Sequence, residues 1–209
     1  NIIIGESESM RRIKETIRNI SNMNLGDIVI LITGETGTGK QLVAEMIHKL
    51  SNRRAAPFIT VNCASIPQQL FESEFFGYKK GAFTGAYKDY EGLFLKANKG
   101  TIFLDEFTEI PLDVQAKLLR VIEYRKLKPI GATTEKDIDV LIIVATNKPL
   151  EELKNSQILR KDFYYRVSQI TITIPPLRER KEDIPLLIDH YLGKYNKQYQ
   201  RKKILSKET

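Results

Sequence analysis

Two patterns of apolar residues alternate along the chain, one typical of amphipathic helices and one typical of buried strands. Apolar side chains recur every three or four residues over 9–20, which predicts a helix with one buried face. The same spacing predicts helices over 41–50, 112–123 and 182–195. Short, mostly apolar runs rich in β-branched residues predict strands, and the last of these runs alternates Ile with Thr. These runs are residues 28–32, 57–61, 101–104, 140–145 and 170–174.

Strands separated by helices predict an α/β fold, with a parallel sheet flanked by helices. In such a sheet, the loops that follow the carboxyl ends of the strands line one ligand crevice. Pro175 and Pro176 mark the best boundary, so we expect an α/β core at residues 1–176 and a second unit at 177–209. One helix cannot form a domain alone, so we expect this second unit to be incomplete.

The composition excludes several classes of protein. Apolar residues make up 42% of the 209 residues, which is enough for a sizeable core and excludes global disorder. No apolar run reaches the roughly 18 residues that a membrane span needs. Cys63 is the only cysteine, so the chain forms no internal disulfide, and the cytoplasm is the expected compartment. His48 and His190 lie far apart in sequence and do not indicate a metal site.

The net charge of +7 suggests a nucleic-acid partner, but its distribution weakens that interpretation. Six basic residues and one acidic residue lie within 193–209, so this segment carries most of the excess. A solvated or frayed end explains such a cluster as well as a specific partner does. Direct DNA binding by this chain is therefore the least favoured hypothesis.

A glycine-rich stretch lies between the first predicted strand and the next helix, and we call it the phosphate loop. It fits the pattern G-x-x-x-x-G-K. Its residues are Gly34, Glu35, Thr36, Gly37, Thr38, Gly39 and Lys40. Glycines let backbone N–H groups turn toward phosphate oxygens, and the lysine of this pattern reaches the β- and γ-phosphates. The stretch predicts a nucleoside triphosphate site, and the alternative is an ordinary glycine-rich turn.

Polar residues elsewhere complete the predicted site. Gln41 stands where this pattern usually has Ser or Thr as an Mg²⁺ ligand, so the metal ion must rely on water and on acids elsewhere. Asp105 and Glu106 follow a buried strand; Asp105 suits the Mg²⁺ role, largely through water, and Glu106 suits the polarisation of an attacking water. Thr146 and Asn147 end the next long strand, where Asn147 suits either a γ-phosphate contact or a turn.

A second unusual stretch, which we call the Phe83 loop, lies at residues 81–86. Its residues are Gly81, Ala82, Phe83, Thr84, Gly85 and Ala86. This composition is poor for a helix and for a strand, which predicts a loop with an aromatic side chain at its tip. An exposed aromatic side chain there indicates a contact with a partner. The alternative is a buried hairpin whose Phe83 joins the core.

With these motifs in place, the chain resembles the AAA+ central domain of bacterial sigma-54-dependent transcriptional activators, the enhancer-binding proteins. The resemblance extends from about residue 5 to residue 189. The segments that carry it are the phosphate loop, the Phe83 loop and residues 58–64, 72–74, 100–106, 145–147 and 175–180. It implies a P-loop NTPase fold that uses ATP and Mg²⁺, with an ATPase core at 1–176 and the beginning of a helical lid at 177–209.

The resemblance also implies roles for single residues. Phe83 and Thr84 match the tip that engages the sigma-54 factor of RNA polymerase. Glu106 matches the water-activating residue, and Asn62 matches the residue that holds this glutamate inactive until the partner is engaged. Thr146 and Asn147 match a nucleotide sensor. Arg160 and Arg166 match the arginines that the family presents to the nucleotide of the neighbouring subunit. Such a contact requires a closed ring, which we expect to be a hexamer.

The sequence departs from the family's pattern at the base of the Phe83 loop. Tyr78-Lys79 stands where His-Glu is more common, and Lys128-Pro129 stands where Arg-Val is common, which puts the details of partner contact in doubt. The family also implies a regulatory domain, further lid helices and a DNA-binding domain outside these residues. Two other functions stay open: an AAA+ remodeller of another protein client, and a nucleotide-binding regulatory module that no longer hydrolyses.

Overall fold

The predicted parallel α/β sheet is confirmed by the computed structural model, which describes residues 3–23, 28–201 and 203–204. The main sheet has five parallel strands in the order β2-β3-β6-β1-β7. These strands are β1 (Val29–Thr33), β2 (Phe58–Asn62), β3 (Thr101–Asp105), β6 (Leu141–Thr146) and β7 (Ile170–Thr173). A small antiparallel pair, β4 (Lys126–Leu127) and β5 (Lys136–Asp137), lies apart from it.

The three central strands β1, β3 and β6 are buried on both faces, which explains why their runs are almost entirely apolar. Successive side chains of a strand point to opposite faces. Leu31 and Leu104 accordingly join one apolar cluster, whereas Ile32 and Phe103 join the other. All four side chains are fully buried.

Eight helices of the described residues surround the sheet or follow it. They are α1 (Glu8–Ser21), α2 (Lys40–Leu50), α3 (Phe71–Phe76), α4 (Leu93–Lys96), α5 (Leu112–Tyr124), α6 (Leu150–Asn155), α7 (Lys161–Val167) and α8 (Ile184–Gln198). The buried faces of α1 and α2 belong to the cluster that contains Ile32. The buried faces of α3, α4, α5 and α7 belong to the cluster that contains Leu31. Within the described ranges, no helix is long and apolar enough to cross a membrane.

The last helix differs from its predicted bounds. A 3-10 turn occupies Lys181–Asp183, and α8 begins at Ile184 with Pro185 in its first turn, where a missing N–H is harmless. The helix continues to Gln198, so Lys194 and Lys197 of the basic segment are helical and exposed rather than frayed. Lys202 and Lys207 lie outside the described residues.

Candidate functional site

The phosphate loop connects β1 to α2 through a backbone that glycines make possible. Gly37 and Gly39 have φ angles of 84° and 101°, in the left-handed region that favours glycine. At Gly34 a side chain would collide with the chain that follows β7, because a Cβ there would lie 2.7 Å from the carbonyl oxygen of Ile174. Thr38 closes the turn, since its N–H and hydroxyl both donate to the carbonyl oxygen of Glu35. Thr36 lies exposed at the tip of this turn.

Lys40 is buried and begins α2. Its Nζ donates to the carbonyl oxygens of Gly34 and Glu35, at 2.9 and 3.3 Å, so the ammonium lies inside the curl of the phosphate loop. The next side chain, Gln41, is exposed and donates from Nε2 to Glu45 Oε1 at 3.1 Å. The loop therefore supplies a buried cation and the N-terminus of an eleven-residue helix, both suited to an anionic ligand.

A cleft of about 750 Å³ lies beside the phosphate loop. Three parts of the chain that are remote in sequence line it: residues 35–39, the N-terminal segment with Ile3 and Ile4, and the region from residue 174 into α8. The last region adds His190, Tyr191 and other side chains of α8 to the wall. A mixed apolar and polar wall next to a phosphate loop is suited to the base and sugar of a nucleotide.

Two arginines between β7 and α8 bind the phosphate loop directly, although no role was assigned to them from the sequence. Arg178 pairs with both carboxylate oxygens of Glu35, at 2.7 and 2.5 Å, and the hydrogen bonds of this pair hold the pKa of Glu35 below its usual value. Arg180 is buried and donates to the carbonyl oxygen of Thr38 at 3.2 Å. The two arginines stand in the sequence Leu-Arg-Glu-Arg, which marks them as a charged cluster. Their contacts with the phosphate loop become visible only in the folded structure.

The predicted acidic pair lies at the carboxyl end of β3. Asp105 is the last residue of that strand, and its Oδ1 accepts the N–H of Glu106 at 3.1 Å. Glu106 has φ 50° and ψ 48°, a left-handed conformation that is uncommon for a residue with a side chain. Its Oε2 accepts the N–H of Asn147 at 3.4 Å, which joins the ends of β3 and β6. The structure thus brings Asp105, Glu106 and Asn147 together.

Asn62 and Thr146 also end strands of this sheet edge. Asn62 pairs with Asp105 in the register of β2 and β3, but its Oδ1 accepts from the N–H of Ala64 at 3.1 Å. Asn62 thus lies on the strand next to the one that Glu106 follows. Among the residues that the structure describes, no hydrogen bond joins the side chains of Asn62 and Glu106. Thr146 is fully buried, and its hydroxyl accepts the N–H of Lys148 at 3.2 Å.

Arg160 precedes α7 and Arg166 lies in its last turn, and neither lines the cleft beside the phosphate loop. The exposed guanidinium of Arg160 binds both carboxylate oxygens of Asp162, which raises the pKa of Arg160. Its backbone N–H donates to Gln115, a fully buried side chain whose amide also binds the carbonyl oxygens of two other turns. Gln115 fixes the start of α7, a structural role that its helical spacing did not indicate.

The Phe83 loop projects from a narrow base rather than folding into the core. Tyr78 and Tyr90 form a bridge at the base, and the N–H of Gly81 donates to the carbonyl oxygen of Ala86 at 2.8 Å across the loop. Phe83 is 45% exposed and touches the Tyr78 ring edge-on, with 4.9 Å between ring centroids. The alternative of a buried hairpin with Phe83 in the core is therefore not what the structure shows.

Other parts of this loop divide between exposed and anchored positions. Thr84 and Gly85 are exposed, whereas Ala86 is buried at the return of the loop. Lys79, one of the departures from the family's pattern, pairs with Asp89 at 2.5 Å, and its hydrogen bond lowers the pKa of that carboxyl. The N–H of Lys79 also donates to Ile130, which ties the base of the Phe83 loop to residues 126–137.

Two family models match the chain. The sigma-54 interaction domain matches residues 3–173, and an AAA+ ATPase lid domain matches residues 178–209. The signal-transduction and transcriptional-control protein of Clostridium beijerinckii is 51% identical over 191 residues, which are 91% of this chain and 30% of that protein. A putative uric acid sigma-54-dependent transcriptional regulator, UacR of Escherichia coli strain K12, is 51% identical over 191 residues, 91% of this chain and 32% of UacR.

A solved structure agrees with these matches. NtrX from Brucella abortus in complex with ATP superposes with a TM-score of 0.86 at 32% identity, over 96% of this chain and 43% of NtrX. The chain spans about a third of the length of the two curated relatives described above. The chain belongs to the sigma-54 interaction domain family and has the AAA+ P-loop NTPase fold.

Proposed function

We propose that the chain is an ATP-hydrolysing AAA+ activator domain that uses the Phe83 loop to remodel closed complexes of sigma-54 RNA polymerase. One observation carries the proposal: the Phe83 loop exposes Phe83 and Thr84 on a chain that also has a complete phosphate loop and the Asp105–Glu106 pair. A surface loop with an exposed aromatic tip is suited to a protein client. An NTPase core supplies the energy that moves it.

The residues present fit ATP and Mg²⁺. The curl of the phosphate loop around the Lys40 ammonium suits the phosphates, with Gln41 turned away toward Glu45. Asp105 would hold Mg²⁺ largely through water, because its Oδ1 already accepts the N–H of Glu106. The metal ion would supply charge neutralisation on the phosphates. Glu106 would orient the attacking water, held in place by the N–H of Asn147.

We also propose that the chain acts in a ring of identical subunits. The two arginines that do not line the cleft are the residues that point to such a ring. Arg160 and Arg166 would reach the nucleotide of the neighbouring subunit in a hexamer, so each site would need its neighbour. The Asp162 pair would hold the Arg160 guanidinium extended at the surface until that contact forms. Thr146 and Asn147 would report the state of the nucleotide at the end of β6.

Two further parts of the proposal concern restraint and organisation. Asn62 would restrain Glu106, which requires its side chain to leave Ala64 and turn toward the neighbouring strand. Residues 1–176 would act as the ATPase core and residues 177–209 as the beginning of the lid. We further propose that the whole protein acts in the cytoplasm and binds enhancer DNA through a domain outside these residues.

The test separates ATP turnover from client engagement. We expect Lys40→Ala and Glu106→Gln to abolish ATP hydrolysis, measured as phosphate release. Thr84→Ala should leave hydrolysis near the wild-type rate, because Thr84 is exposed and does not line the cleft beside the phosphate loop, yet it should block open-complex formation on a sigma-54 promoter. Normal activation by Thr84→Ala would refute the assigned role of the loop.

A binding experiment distinguishes sigma-54 from another protein client. The wild-type protein, trapped with a transition-state analogue of ATP hydrolysis, should retain purified sigma-54, and Thr84→Ala should retain it poorly. ATP turnover without any retention of sigma-54 would favour an AAA+ remodeller of another protein client. Absence of turnover in the assembled wild-type ring would instead favour a regulatory module that binds nucleotide without hydrolysing it.

A further inference from the structure

A buried carboxylate joins two walls of the cleft beside the phosphate loop. Asp183 is fully buried at the start of α8. Its Oδ1 accepts the N–H groups of Glu6 and Ser7 at 2.6 and 2.8 Å, and its Oδ2 accepts the hydroxyl of Ser7 at 2.7 Å. These three hydrogen bonds connect segments that are 176 and 177 residues apart in sequence.

The surroundings are built for this close approach. Gly5 has a φ of 139°, and a Cβ at that position would lie 2.8 Å from Asp183 Oδ2. Ser7 also caps the start of α1, since its hydroxyl accepts the N–H of Met10 at 3.4 Å. Burial alone would raise the pKa of Asp183, but the hydrogen bonds from Ser7 and Glu6 outweigh it, so the carboxylate stays ionised and fully acceptor-only.

Each segment that Asp183 joins also forms part of the cleft. The N-terminal segment places Ile3 and Ile4 in the wall, immediately before the residues that Asp183 binds. On the other side, Asp183 follows Arg180, whose guanidinium binds Thr38 of the phosphate loop, and it precedes the α8 residues of the wall. Loss of the Asp183 contacts would therefore release both walls together.

We propose that Asp183 is a positioning residue for nucleotide binding. It holds the N-terminal segment and α8 in place as the two walls that contact the nucleoside part of a nucleoside triphosphate. This inference rests on the nucleotide chemistry of the proposed function. It also makes the coupling reciprocal: a bound nucleotide strengthens the docking of the N-terminal segment, and a pull on that segment weakens nucleotide binding. The phosphates would contact residues 34–40 and would depend on Asp183 much less.

The experiment compares two ligands on the same variants. Asp183→Asn keeps the volume but replaces the ionised acceptor, and we expect it to weaken binding of a non-hydrolysable ATP analogue about tenfold, as if the competent cleft were populated one time in ten. Ser7→Ala removes the hydroxyl contact and should weaken the same ligand by a smaller factor. Tripolyphosphate, which has no nucleoside, should bind both variants as it binds the wild-type chain.

A matched variant controls for general destabilisation. Asp139→Asn breaks a charge pair with Arg53 before the amino end of β6, on the opposite edge of the sheet. It should lower thermal stability and leave both affinities unchanged. Hydrogen exchange gives an independent readout, because the amides of Glu6 and Ser7 should exchange more slowly when the ATP analogue is bound to the wild-type chain.

The possible outcomes separate the inference from the proposed function. Wild-type affinity for the ATP analogue in a folded Asp183→Asn variant would overturn the inference and leave the proposed function standing. An equal loss of tripolyphosphate binding would also overturn it, since the effect would then be general. If Asp183→Asn does not fold, Ser7→Ala decides by the same two ligands. Failure of the wild-type chain to bind the ATP analogue would overturn the proposed nucleotide function, and the inference with it.

Discussion

Gly131→Ala would push the Phe83 loop away from its base. Gly131 has a φ of 74°, and an ideal Cβ there would lie 2.8 Å from the Cβ of Ala82. Ordinary contact begins at 3.4 Å, so one of the two segments must move by about 0.6 Å. The backbone beside Gly131 is fixed, because Ile130 donates to Gly77 and accepts from Lys79. The exposed loop that contains Ala82 must therefore give way.

The substitution has two separable consequences. An alanine in the left-handed region costs about 1–2 kcal/mol, which lowers Tm by about 2–8 °C for a chain of this size. Displacement of Phe83 and Thr84 should reduce open-complex formation about tenfold or more, since misplacement of a contact by about 1 Å is enough for such losses. ATP hydrolysis should stay near the wild-type rate because Gly131 does not line the cleft beside the phosphate loop.

A double variant distinguishes collision from backbone strain. Ala82→Gly removes the methyl group that the new side chain would meet, so the combination with Gly131→Ala keeps the strain but loses the collision. We expect activation to recover while Tm stays low, with Ala82→Gly alone as the control. Wild-type activation by Gly131→Ala would refute the reasoning. The reasoning would also be refuted if Ala82→Gly alone activated normally but the double variant activated no better than Gly131→Ala.

Three other contacts give further predictions. Arg178→Ala should leave Tm nearly unchanged in calorimetry, because the pair with Glu35 is exposed and water and salt screen it. A hydrogen bond from Arg53 holds the pKa of Asp139 below its usual value, so this pair stabilises the fold above about pH 4 and the stabilisation is lost as pH falls through the lowered pKa. Urea unfolding of Asp139→Asn should therefore vary less with pH in that range. Leu118→Ala, at a fully buried position of α5, should cost about 2–5 kcal/mol by the same urea assay.

The order of strands and helices could be predicted from the sequence because burial on both faces leaves an unmistakable pattern. The five apolar runs all became strands of one parallel sheet. Short elements such as α3 and α4 were not predicted, since a helix of four to six residues shows too few turns for a periodicity to appear. Their positions depend on a cluster of aromatic rings that includes Phe75 and Phe94.

The cleft could not be predicted as a whole, because its walls come from opposite ends of the chain. The phosphate loop has a local pattern that identifies it, and the composition of the Phe83 loop predicted an aromatic tip, to which the resemblance to a family added a partner. Nothing in the local sequence around Asp183 indicates that its carboxylate binds the backbone of Glu6 and Ser7. Such a contact is a property of the closed fold and not of any window of residues.

The strand ends explain how the fold holds the candidate site. The fifth predicted run, 170–174, extends one residue past the end of β7, whereas the other four runs stop at their last apolar residue and the strand continues for one residue more. That additional residue is polar in four neighbouring strands: Thr33, Asn62, Asp105 and Thr146. Asn62 pairs with Asp105, and Thr33 pairs with Thr146, in register. The ladder therefore fixes the backbone under the polar edge, while the exposed side chain of Asn62 is held by a hydrogen bond from Ala64, which the proposed restraint of Glu106 would have to break.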